Sequence, residues 1–132
     1  MSINYADLFR HMEAGTLHTC DFSHEAHIGV AYQALETYPF FDALAAFAKG
    51  IETAAAASGA ADKFNATVTL AFMIVIAERR AKGQYKDAAD FVARNPDLSA
   101  KGLLARWYTP NLLGCDLARS VALMPDRVVE IA

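Results

Sequence analysis

The chain is expected to be all-α. Alanine is abundant while glycine and proline are scarce, at 7 and 4 residues of 132. No Asn-Gly hairpin signal occurs, and no stretch sustains the period-two alternation of a half-buried strand. With 55% hydrophobic residues, residues 1–132 fit one helical domain with one continuous core. The expected architecture is a compact bundle of five to seven helices around a central apolar helix.

The first helix is read over Tyr5 to Glu13, with Leu8 and Met12 on its apolar stripe, ending before Gly15, which can adopt the left-handed conformation. Gly15 to Phe22 reads as a polar loop. Ser23 is a candidate N-cap for a second helix running to about Thr37 with Ile28, Ala31, Tyr32 and Leu35 inward. After Tyr38-Pro39 a third helix starts near Pro39, a tolerated first-turn residue, and carries Phe40, Leu44, Phe47 and Ile51 toward Gly59. A fourth is expected from about Asp62 to Lys82. It is apolar all round between Ala66 and Ala77, which marks it as the central helix. Tyr85 to Arg94 form a shorter helix closed by Asn95-Pro96, because the residue before proline avoids helical geometry. Ser99 is expected to cap another through Leu103, Leu104 and Trp107. An irregular segment opens at Thr109-Pro110 and ends at Met124-Pro125.

A net charge of -3 with both signs interspersed gives no electrostatic reason to expect nucleic acid or anionic lipid as a partner. The stretch Met1 to Asp7 lacks a basic region followed by an apolar run, and Ala66 to Ala77 is too short to cross a bilayer, so no membrane association is expected and the cytoplasm is the expected compartment. Cys20 and Cys115 are too few for a disulfide framework.

All four histidines, His11, His18, His24 and His27, fall in the first quarter of the chain. His24 and His27, three residues apart behind a cap, share one helix face. In a first turn the helix dipole disfavours imidazolium, and neutral imidazole is the form that ligates metals or accepts protons. Alternatively, both rings only hydrogen-bond to the preceding loop. His18, Cys20, His24 and His27 supply the ligand types of a closed zinc site, but without its usual paired knuckles. A looser site of His24, His27, a third ligand and water leaves a position open for catalysis.

A second group, Lys63-Phe64-Asn65-Ala66-Thr67-Val68-Thr69, sets polar atoms at the mouth of the most apolar helix. Thr67 and Thr69 can bond back to their own backbone while Asn65 caps it, or Asn65 and Thr69, four apart, can reach toward the histidines. Glu78, with Arg79 and Arg80, forms a third group. Thirteen residues of helix span about 20 Å, so Asn65 and Glu78 cannot serve one small site together.

The pattern Phe22-x-His24-x-x-His27, followed by Lys63-Phe64-Asn65-x-Thr67-x-Thr69-x-Ala71-Phe72, resembles an uncharacterised family of small bacterial all-helical proteins. The similarity extends from about Leu17 to Asp126, through Asn95-Pro96-Asp97-Leu98 and Trp107-Tyr108-Thr109-Pro110. It implies the residues of a site but no reaction. It also implies histidine at the position of Asn65 in related chains, where three imidazoles converge on a metal; an amide is a poor zinc ligand.

Two functional classes follow. In one, His24 and His27 build a site for a small organic molecule, neutral or anionic, or a divalent metal, with Asn65 and Thr69 as polar neighbours and Phe22, Phe64 and Phe72 as apolar wall. One histidine acting as acid or base then makes the protein an enzyme. In the other the chain is a non-catalytic helical interaction module, a homodimer, whose interface draws on Tyr38, Phe40, Phe41, Trp107 and Tyr108.

Overall fold

The computed structural model describes residues 3–17, 23–100 and 102–127. Within them lie seven α-helices and three 3-10 turns, with no strand. The helices are α1 (Tyr5–Ala14), α2 (His24–Thr37), α3 (Phe40–Ala57), α4 (Ala66–Lys82), α5 (Ala88–Arg94), α6 (Pro110–Leu113) and α7 (Asp116–Ser120). The 3-10 turns are Ala61–Lys63, Pro96–Ser99 and Leu103–Arg106. Among the described residues no helix is long and apolar enough to cross a membrane.

Side-chain oxygens set most helix starts by accepting a backbone N–H that the first turn leaves free. Asn4 accepts from Asp7 N at 3.0 Å, Ser23 from Ala26 N at 3.2 Å, Asn65 from Val68 N at 2.9 Å and Asp87 from Asp90 N at 2.8 Å. Gly15, at φ 74°, ends α1. Two of these caps move expected boundaries. Because Asn65 caps α4, that helix begins at Ala66, and Ala61–Lys63 form a separate 3-10 turn. Asp87 likewise delays α5 to Ala88. Ser99 caps nothing: it ends a 3-10 turn, and the next turn follows Gly102, whose φ of 84° a larger residue disfavours. Pro39 precedes α3 instead of entering its first turn. The segment after Thr109 contains α6 and α7, the former capped by Thr109.

The central helix is α2, not α4. It packs against α1, α3, α4, α5 and the Pro96–Ser99 turn, and Ile28 to Leu35 are buried except for Gln33. Its small residues explain this. A Cβ at Gly29 would overlap the Tyr5 ring, and Ala26, Ala31 and Ala34 are likewise fully covered. Close approach on every side outweighs the uncharged apolar run Ala66 to Ala77 of α4, whose Ile74 stays 48% exposed.

The main core joins Phe47, Phe91, Ile28, Met73, Ile76 and Leu98, all fully buried. A smaller cluster of Ala71, Leu104 and Tyr108 lies on the other side of α4. Over it runs the extended segment from Val121 to Arg127. The Thr67 hydroxyl reaches the carbonyls of Ala118 and Val121, both at 2.9 Å, and accepts from Leu123 N at 3.0 Å. Tyr108 Oη donates to Leu123 O at 3.1 Å, and Asp126 accepts from Thr109 N and Oγ1 at 2.8 and 2.6 Å.

Candidate functional site

Capped by Ser23, the first turn of α2 brings His24 and His27 together, with ring centroids 6.0 Å apart at an interplanar angle of 75°. The His24 ring leans on Phe72, 5.6 Å between centroids, and its Nε2 lies 3.3 Å from Leu98 O. A carbonyl only accepts, so Nε2 carries the proton and Nδ1 is the acceptor of the neutral ring. His27 is half-buried, and burial, aided by the neighbouring His24, lowers its pKa to about 4. It is therefore neutral at pH 7, with desolvation as the main cause.

The two rings face different spaces. His24 borders an open cleft of about 500 Å³ walled by Val68, Phe72, Leu98, Leu104 and Leu113. His27 borders a smaller one of about 230 Å³ beside Ile51, Ser58, Lys63 and Phe64. Phe64 and Phe72 thus each stand beside one histidine of the pair.

Asn65 and Thr69 are occupied elsewhere. While Asn65 Oδ1 caps α4, its Nδ2 donates to Leu113 O at 2.6 Å, tying the helix start to α6. Thr69 Oγ1 donates to Asn65 O at 2.7 Å. These are the backbone-bonding roles that compete with a ligand role. Phe22, His18 and Cys20 lie outside the described residues. Among the described residues no three His, Cys, Asp or Glu side chains are grouped to hold a metal ion.

The charged end of α4 does structural work. Glu78 is exposed and pairs with Lys82 at 3.4 Å. Arg79 forks onto Asp97 and reaches Asn95 Oδ1 at 3.1 Å, and Arg80 Nε donates to Glu36 at 3.1 Å. Of the aromatics considered for an interface, Tyr108 is buried, Tyr38, Phe40 and Trp107 are half-buried, and Phe41 is 80% exposed.

Leu98, Leu104, Tyr108 and Leu113 were not read as site residues from the sequence. Only Leu104 and Tyr108 stand at helical spacing, and only the tertiary return of 98–114 onto α4 brings the four to His24. The nearest signal is the aromatic pair Trp107-Tyr108 ahead of Thr109-Pro110. No family model, curated protein or solved structure matches the chain.

Proposed function

We propose that the protein binds a small, mainly apolar organic molecule with one polar or anionic group in the cleft beside His24. The observation that carries this reading is the lining: apolar walls on nearly every side, with an imidazole at the edge. That is the pattern of small-molecule sites, where apolar surface supplies affinity and a few polar groups fix orientation. His24 is the orienting group. Nδ1 accepts a hydrogen bond when the ring is neutral, and the protonated ring donates one to an anion. The opening turn of α2 adds partial positive charge. His27, kept neutral, spares the site a second charge. An imidazole beside an apolar cleft is also a side chain of the type used in acid–base chemistry on a bound molecule.

Hexanoate is a suitable probe. Calorimetric titration of the parent and of His24→Ala is expected to show at least about tenfold weaker binding in the variant, from the loss of one charge-assisted hydrogen bond. Binding that ignores His24→Ala, or no binding to the parent, overturns the proposal. A second reading, a homodimer through the start of α3, is favoured by Phe41, exposed beside Phe40 at 5.3 Å between rings. Sedimentation of Phe41→Ser against the parent tests it: a dimer that dissociates supports it, and a parent that is monomeric throughout rejects it.

A further inference from the structure

We infer that Tyr108 sets the length of the molecule the cleft accepts, and that the molecule is a straight-chain carboxylate. This rests on the ligand reading above. A second cleft, about 400 Å³, lies farther along α4 between apolar Ala71, Val75 and Trp107 and charged Glu78, Arg79 and Arg106. Tyr108 is the side chain that both linings share. Ala71, facing the second cleft, and Leu104, facing the first, are its buried companions in the small cluster. That cluster is therefore the wall between the clefts.

Helix α4 forms the floor of both. Val68 and Phe72 underlie the first cleft, and Ala71, Val75 and Glu78 the second. From Val68 to Glu78 the helix rises about 15 Å, so the two spaces succeed one another along it with Tyr108 between them: the first is lined mainly by apolar side chains, and the second is bordered also by Glu78, Arg79 and Arg106. The ring is held by the bond from its hydroxyl to Leu123 O at 3.1 Å. An unbranched chain suits the apolar lining of the first cleft, and the protonated ring of His24, the imidazole in that lining, takes the carboxylate. Chains that fit the first cleft bind; longer ones meet the Tyr108 ring.

Hexanoate, decanoate and tetradecanoate, each titrated below its aggregation concentration, test this with two readouts. Side-chain nitrogen resonances of His24 report occupation of the first cleft. Emission of Trp107, the single tryptophan, reports the second. In the parent, tetradecanoate is expected to bind at least about tenfold more weakly than decanoate, and bound hexanoate to leave Trp107 emission unchanged. In Tyr108→Ala the tetradecanoate-to-hexanoate affinity ratio is expected to rise at least about tenfold, with a shift of Trp107 emission. Tyr108→Leu, which preserves apolar packing, should move the ratio less in the same direction, and serves where the alanine variant does not fold. An unchanged ratio in the folded variants overturns the role of Tyr108 while leaving the His24 site standing. Failure of every carboxylate to move the His24 resonances of the parent overturns both.

Discussion

The two sides of α4 are packed differently. Toward α2 and α3 the helix buries Met73 and Ile76 in a core where Phe91 packs tilted on Tyr32 and edge-to-face on Tyr85, with centroids 4.9 and 4.7 Å apart. Toward the C-terminal segments it meets a cluster of three buried residues bordered by two clefts, stitched mainly by side-chain to backbone hydrogen bonds. The contrast sets a closely packed frame against a thinner side that leaves open clefts. Fewer buried apolar contacts also mean lower local stability.

The largest expected effect tests that contrast directly. Phe91→Ala should lose about 3–5 kcal/mol and Leu104→Ala about 2, the bottom of the range for large-to-small changes, because an open cleft already borders Leu104. Urea unfolding measures both, and equal losses contradict the difference in packing. Next comes acid. The His27 pKa is lowered from 6.5 to about 4, so the unfolded chain takes up the proton first. Its contribution is fully present above pH 6.5 and is lost as pH falls toward 4, about 3 kcal/mol at most. His27→Leu should flatten the stability–pH curve in that window. Asp126, held below its ordinary 3.8 chiefly by the Thr109 hydroxyl, keeps its hold until lower pH. Acid in that window therefore weakens the α2 side.

Thr67→Val is expected to cost about 1–3 kcal/mol, since it strips the Leu123 N–H of its acceptor and removes the one O–H that the Ala118 and Val121 carbonyls share. Amide exchange should show faster opening at 118–123 with little change at Ile28 to Tyr32; uniform acceleration would count against a separately stitched segment. The smallest change is Asp97→Asn. With Arg79 and Asp97 both partly exposed, thermal melts should register a loss of about 0.5–1 kcal/mol that shrinks in high salt.

Helix content and the Ser23 start of α2 were legible because propensity and capping act locally. The central position of α2 was not: Gly29, Ala31 and Ala34 add little hydropathy, and their value lies in what they let approach. The same limit hid half of the candidate site. His24 and His27 declare themselves by residue type and spacing, whereas Leu98, Leu104 and Leu113 are ordinary apolar residues until the chain folds back. Asn65 stood out as a polar residue at an apolar helix, and its amide is engaged in capping α4 and holding Leu113.

The glycines of α2 and α3 carry one more consequence. Tyr5 of α1 fills the space above Gly29, and Met12 fills that above Gly50, as the overlap of a Cβ at either position shows. The first helix is thus seated by two pegs in sockets that belong to later helices. During vectorial synthesis neither socket exists when α1 emerges, so its apolar side must wait uncovered until residue 50 has followed. Enlarging either socket residue should leave that helix undocked, and the nascent chain open to aggregation for longer.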